Sequence, residues 1–350
     1  MTPYPLLFRP ILKPKVWGGR ALASLGKDLP PGQSIGESWE LADLPEGIEG
    51  GRSVIANGEL AGKTLRQAIA DHRAEIMGDA RTTAEGGFPL LIKYLDAREN
   101  LSVQVHPDHA YVQKHPEAHL KSEAWVIIQA HPGSVIYKGV KPRVTAGQFA
   151  DDIRKGSVVD DLIAVPAIAG ECHYLPSGTC HALGAGIVVA EIQTPSDTTF
   201  RVYDWDRPAV SPAASAARSP ALTAARELHI EQALECIHFG QPDKPHKPKS
   251  PIEVRGVRTT QLVESEYFEI ERVDAITMAR FPIVNSGLPE VWMLISGSGR
   301  IENQGRPLVD LQAGATVLMP AGFDHGLAVL ARSACMLRVK LPSPIKGLMA

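Results

Sequence analysis

The chain has 350 residues, 44% hydrophobic and 21% charged, a composition that buries a full core and leaves room for two or three modules. Its formal net charge of -3 provides no basic field, so neither nucleic acid nor an anionic membrane is expected as a partner. No apolar run approaches the ~18 residues of a membrane-spanning helix.

The opening Met1-Thr2-Pro3-Tyr4-Pro5 lacks the charged and apolar regions of a signal peptide, so a cytoplasmic location is expected. Residues 1–60 alternate short strand-like pieces with Gly/Pro turns. Val16-Trp17-Gly18-Gly19 and Ile35-Gly36-Glu37-Ser38-Trp39-Glu40 each set a tryptophan beside glycine, a pattern that suits a bulged strand or a close backbone approach. Both tryptophans can equally be simple core fillers. Residues 61–80 read as a helix capped by Thr64, with Leu65, Ile69 and Ile76 on one stripe.

Residues 88–96 form a strongly apolar strand broken by Lys93. An unpaired ammonium is too costly to desolvate there, so Lys93 either sits at an edge and reaches water or meets an anion. Next, Leu101-Ser102-Val103-Gln104-Val105-His106 alternates like a half-buried strand, so Gln104 and His106 project from one face. Residues 108–118 are a loop or short helix, and residues 123–128 a strand. Residues 141–167 read as a helical insert that covers one end of a barrel. Thr145 and Gln148 make its capping box, and Phe149, Ile153, Val158, Leu162 and Ile163 its apolar face.

Gly170 to His181 repeats as Gly314 to His325: in both, glycine to proline is six residues, proline to glycine two, and glycine to histidine three. Upstream, Glu123-Ala124-Trp125 matches Glu290-Val291-Trp292. Two copies of one unit follow, each a set of short strands and Gly/Pro turns, the signature of a jelly-roll barrel of the kind that includes cupins. The expected fold is therefore mainly β, two cupin-like jelly-roll barrels with a small helical insert. The catalytic barrel would span 1–207, helix and linker segments 208–250, and a degenerate second barrel 251–350. In the intervening part, a helix is expected over 221–237, and Lys244, His246, Lys247 and Lys249 read as a solvated loop. The second copy keeps only Glu290 and His325, too few ligands for a tight site.

Gln104, His106, Glu123 and His181 fall where a jelly roll converges on one end of its interior. Two imidazoles, a carboxylate and an amide make a mixed N/O set suited to zinc and tolerable for manganese, iron or cobalt. Glu191 and Arg201 also interrupt apolar surroundings. Either they pair with each other, or Arg201 joins Lys93 and Lys121 in presenting positive charge to an anionic or enediolate-forming substrate. The cysteines Cys172, Cys180, Cys236 and Cys335 form no C-x-x-C and read as free thiols.

Gln104-x-His106-Pro107, Lys121-x-Glu123-x-Trp125, Pro176-x-Gly178-x-x-His181 and Ser196-Asp197-Thr198-Thr199-Phe200-Arg201 together resemble the type I mannose-6-phosphate isomerases in their shorter bacterial form. The resemblance covers nearly the whole chain and departs at Cys180, where many members have valine or isoleucine. It implies a cupin-fold aldose-ketose isomerase interconverting mannose 6-phosphate and fructose 6-phosphate through an enediol, with one zinc ion per chain on Gln104, His106, Glu123 and His181. It also implies Lys93, Lys121, Glu191 and Arg201 as catalytic residues, with Trp17, Glu37 and Asp197 against the substrate. The proton-transferring base stays open among Lys121, Lys93, Glu191 and metal-bound hydroxide. The expected partner is a small sugar phosphate, and a monomer is expected rather than a homodimer. Two alternatives remain at this point: a cupin isomerase of glucose 6-phosphate or free mannose, and a non-catalytic sugar-phosphate sensor.

Overall fold

Short alternating strands in the first half of the chain close into two facing antiparallel sheets. The computed structural model describes residues 1–207, 209–210, 222–223, 226–240, 247–284 and 286–343. It begins with β1 (Leu6–Leu7), β2 (Ile11–Gly19), β3 (Ile35–Leu41), β4 (Leu91–Ala97), β5 (Val103–Val105) and β6 (Glu123–Ala130). There follow β7 (Val135–Val140), β8 (Leu162–Pro166), β9 (Cys172–Leu175), β10 (His181–Leu183), β11 (Ile187–Gln193) and β12 (Phe200–Tyr203). One sheet runs β2-β3-β4-β11-β6-β9 and the other β12-β5-β10-β7-β8. Trp17, Leu95, Trp125, Ile127, Ile136, Leu183 and Val189 pack between them.

The two Trp-Gly motifs meet where β2 crosses β3. A Cβ on Gly18 would lie 2.4 Å from the Gly36 amide nitrogen, so glycine there lets backbone approach backbone, and one on Gly36 would lie 2.6 Å from Lys15 Cβ, so glycine there makes room for the Lys15 and Trp17 side chains. The pairing register of β2 on β3 shifts at Pro14, which gives the bulge the sequence suggested.

After β13 (Ala209–Val210) and β14 (Leu222–Thr223), the rest of the chain repeats the architecture. Its strands are β15 (Ile252–Val254), β16 (Val257–Glu264), β17 (Glu269–Ala275), β18 (Ala279–Pro282) and β19 (Glu290–Ser296), then β20 (Ser298–Asn303), β21 (Arg306–Gln312), β22 (Thr316–Met319), β23 (Gly326–Leu330) and β24 (Cys335–Lys340). Sheet β1-β22-β19-β24-β17-β16-β15 faces β18-β23-β20-β21 across Trp292, Leu294, Ile301, Val317 and Met336. The internal repeat is visible in the register itself: Glu123 pairs opposite Leu175 and Glu290 opposite Met319, the positions aligned in sequence. The first strand of the chain, β1, joins this second sheet through Leu6 and Leu318.

The two large sheets lie back to back. Trp125 and Ile127 of β6 face inward, while Ala124 and Val126 between them face out, as the two-residue period demands. Those outer residues, with Ile92, Tyr94 and Ala190, pack on Ile270, Val291, Met293, Leu318 and Leu337 of the second barrel. Central strands β4 and β11 are consequently buried along their whole length.

Helix α1 (Leu65–Asp71) starts at the expected Thr64, with Gln67 completing a capping box, and α2 (Arg73–Met77) continues after a break at His72. A further short helix, α3 (His109–Lys114), is capped by Asp108. The insert is only half helical. Thr145 and Gln148 cap α4 (Ala146–Lys155) as expected, but Gly156 in the left-handed region ends it, and Leu162 and Ile163 belong to β8, hydrogen-bonded to β7. The helix expected over 221–237 is confined to α5 (Ile230–Cys236). Just upstream of it residues 226–229 are non-helical and tied down by tertiary bonds: the His229 amide donates to Arg201 O at 2.8 Å, and Arg226 is clasped by Asp204. Pro208 and residues 211–221, most of the expected first linker, and Lys244 and His246 of the second fall outside the described residues.

Candidate active site and metal centre

His106, Glu123 and His181 converge in the first barrel, their ligand atoms all within 4.8 Å of one another. All three are buried, with 2%, 0% and 1% of their surfaces exposed. Each histidine is oriented by a backbone carbonyl: His106 Nδ1 lies 3.0 Å from Thr198 O and His181 Nδ1 2.8 Å from Thr179 O. A carbonyl only accepts, so in each ring Nδ1 carries the proton and the Nε2 lone pair turns toward Glu123. His181 Nε2 then faces Glu123 Oε1 at 3.1 Å and His106 Nε2 faces Oε2 at 3.5 Å. Burial and the nearby Lys121 push the His106 pKa down to about 3, which keeps the ring neutral. Burial opposes the charge on Glu123, yet the ammonium of Lys121 holds its carboxyl well below the usual range.

The cluster is a set of acceptors short of donors. Lys121 Nζ donates to His106 Nε2 at 3.0 Å and stands 2.8 Å from Glu123 Oε2, an ion pair off the line a hydrogen bond requires. Neither oxygen of Glu123 accepts a well-directed hydrogen bond. Gln104 completes the group from β5, its amide nitrogen 3.4 Å from His181 Nε2, and a flip of the amide would present oxygen at the same place. Such a ring of inward-facing lone pairs fits a borderline divalent cation on His106, Glu123, His181 and Gln104.

Beside this cluster lies a cavity of about 430 Å³, walled by Trp17, Glu37, Lys93, Gln104, Lys121, Glu191, Asp197 and Arg201 among others. Every residue the sequence marked for catalysis or substrate is therefore on one surface. Lys93 meets an anion, as one of its two readings held: its Nζ is 3.1 Å from Glu191 Oε2. Three carboxylates, Glu191, Glu37 and Glu123, raise its pKa against the opposing effect of burial. Burial raises the Glu191 carboxyl, while Lys93 opposes it and Trp125 Nε1 donates to Oε1 at 2.9 Å. The suggested Glu191–Arg201 pair does not form. Arg201 lies on the facing sheet, opposite Gln104 in register, and its guanidinium donates to Glu227 O at 3.0 Å.

Sequence reasoning missed Lys13, Lys15, Arg226 and His229, which line the same cavity. For Lys13 and Lys15 a signal existed, since two lysines two apart on a strand share a face. For Arg226 and His229 there was none, because tertiary bonds alone hold that segment at the rim. The Ser196-Asp197-Thr198 motif acts partly through backbone, which residue types do not reveal: Gln193 Nε2 donates to Thr194 O and Ser196 O, shaping the loop that aims Thr198 O at His106.

Glu37 gives a pH prediction. Burial disfavours its charge, but Lys93, Lys15 and the Trp39 indole hold its carboxyl at about 2, below the ordinary 4.5. A depressed carboxyl stabilises the fold above its unfolded pKa, and that stability is lost as pH falls through the folded value. Glu37→Gln is expected to lower the unfolding free energy by roughly 3 kcal/mol at pH 7 and by far less near pH 2. Denaturant titrations showing an equal deficit at both pH values would remove this role.

Known proteins of the same construction give the chain its place. A sequence-family profile described as phosphomannose isomerase type I, catalytic domain, matches residues 6–176. The probable mannose-6-phosphate isomerase GmuF of Bacillus subtilis (strain 168) is 37% identical over 325 residues, 92% of this chain and 95% of its own. The crystal structure of a mannose 6-phosphate isomerase from Bacillus subtilis superposes with a TM-score of 0.83 at 30% identity, covering 97% of this chain and 99% of that one. A mannose 6-phosphate isomerase bound with zinc and yttrium shares the fold, with a TM-score of 0.69 at 15% identity over 96% of this chain and 99% of that one. Identity sustained along so much of both chains, on a matching fold, makes this an aldose-ketose isomerase acting on mannose 6-phosphate, and the chain belongs to the type I phosphomannose isomerase family.

Proposed function

We propose that the chain interconverts D-mannose 6-phosphate and D-fructose 6-phosphate through an enediol, with one zinc ion held by Gln104, His106, Glu123 and His181. The carrying observation is the buried confrontation of acceptors, His181 Nε2 against Glu123 Oε1 at 3.1 Å, which a cation between them would relieve. The N/O donor set is of the kind zinc accepts, and zinc is bound by one protein of the same fold. When bound, the ion would serve as a Lewis acid toward a substrate oxygen.

The protein's own groups account for the remaining steps. Aldose-to-ketose conversion takes a proton from carbon 2 and returns one to carbon 1, while negative charge builds on the two oxygens. Arg201, with Lys121, faces the cavity beside the metal ligands and stabilises that charge. Glu191 Oε2 is the titratable atom suited to take the proton, while Lys121, paired with Glu123, stays a cation. Burial raises the Glu191 carboxyl above its ordinary value, which strengthens it as a base, and Lys93 stands beside it as counter-charge. Tryptophans 17 and 125, almost fully buried, exclude water from the floor.

A coupled assay on chelated and zinc-restored protein, offering mannose 6-phosphate, glucose 6-phosphate and free mannose in parallel, tests the reading. Turnover of mannose 6-phosphate is expected to disappear on chelation and to return with about one equivalent of zinc. Undiminished turnover in metal-free protein would end the metal assignment, and preference for either other sugar would end the substrate assignment.

A further inference from the structure

The cavity carries more positive charge than its own carboxylates neutralise. Six cations, Lys13, Lys15, Lys93, Lys121, Arg201 and Arg226, face three carboxylates, Glu37, Glu191 and Asp197. Lys93 and Lys121 are engaged by Glu191 and Glu123 near the metal ligands. At the other end the balance fails on both walls. Glu37 is shared between Lys15 at 3.0 Å and Lys93 at 3.9 Å. Lys13 has no carboxylate within ion-pair distance among the described residues; its Nζ donates to Glu49 O at 3.0 Å and lies 4.5 Å above the Trp39 ring. Across the cavity, Asp204 serves both Arg207 and Arg226, with Arg201 close by.

Strand order locates this surplus. Lys13 and Lys15 lie on β2, the edge of the sheet four strands from β6 and Glu123, roughly 19 Å measured along the curved sheet. Arg201 lies on β12, the edge of the facing sheet, and the segment bearing Arg226 and His229 hangs beyond it through the bond from the His229 amide to Arg201 O. A hexose 6-phosphate has its reacting carbons at one end and a dianion at the other. We infer that Lys13 and Lys15 of β2, with Arg226 and His229 of the segment before α5, form the subsite that grips the substrate's phosphate group, at the outer rim of the cavity. The inference rests on the reading that the chemistry occurs at the cluster of His106, Glu123 and His181.

Steady-state kinetics of Lys13→Gln and Arg226→Gln test it. Each variant is expected to raise KM for mannose 6-phosphate about 10- to 100-fold while kcat changes less than about threefold, because the phosphate contact is the same in ground and transition states. The inhibition constant of inorganic phosphate should rise by a similar factor, and that of the uncharged polyol mannitol should stay put. Unchanged KM and phosphate inhibition in Lys13→Gln, or a fall in kcat at constant KM, would overturn the subsite. Should Arg226→Gln fail to fold for want of its Asp204 pair, Lys13→Gln and Arg226→Lys decide alone. Failure of the underlying reading looks different: the unmutated enzyme would then be indifferent to mannose 6-phosphate, while calorimetry with inorganic phosphate still compares the variants.

Discussion

His181→Ala is expected to lose metal binding and at least about a thousandfold in turnover together, since one of the two imidazoles proposed as ligands disappears from the centre of the cluster. His181 Nε2 faces Glu123 Oε1 at 3.1 Å, and its ring stands edge-on to Trp125. The metal-free variant should be no less stable than metal-free parent, because removing the imidazole also removes one of the acceptors crowded there; functional sites commonly hold such unfavourable contacts. Elemental analysis beside the activity assay checks the first part and thermal unfolding in chelator the second. Stoichiometric zinc retained in His181→Ala would contradict the ligand assignment outright.

Arg201→Ala is expected to lower kcat about 10²- to 10³-fold with the metal still in place, the size of effect seen when a donor to developing oxygen charge is removed. Arg201 sits on β12 opposite Gln104, one of the proposed metal ligands, yet its guanidinium donates to the Glu227 carbonyl and not to any of the four. Its loss should therefore spare metal affinity. Arg201→Lys should recover only part of the rate, a lysine offering a point charge without the planar fork. Metal content falling in step with activity would show that Arg201 holds the site together and does not act on the substrate.

Two kinds of information separate cleanly in this chain. Residue spacing alone announced the doubled barrel, because a repeat of Gly, Pro and His at fixed intervals can only fold into the same strands and turns twice, and the register of Glu123 on Leu175 and Glu290 on Met319 repeats it. The Thr64 and Thr145 caps were equally legible, since a capping box is a contact between residues three apart. Spacing failed where distant segments compete with local preference. Residues 162–166 are apolar enough for a helix face but pair with β7, and residues 226–229 before α5 are tied to Arg201 and Asp204.

At the site, the sequence by itself determined which side chains could bind a cation and which charges could meet an anion, because those are properties of residue type and of the two-residue alternation along β5. What it could not determine is who faces whom. Lys93 on Glu191 instead of Glu191 on Arg201, the carbonyls of Thr198 and Thr179 that turn each imidazole, and the arrival of Arg226 at the cavity rim are all consequences of strands brought side by side from far apart. Long-range pairing is chosen by the burial of whole sheets, and no local pattern encodes which buried charge a neighbouring strand will deliver.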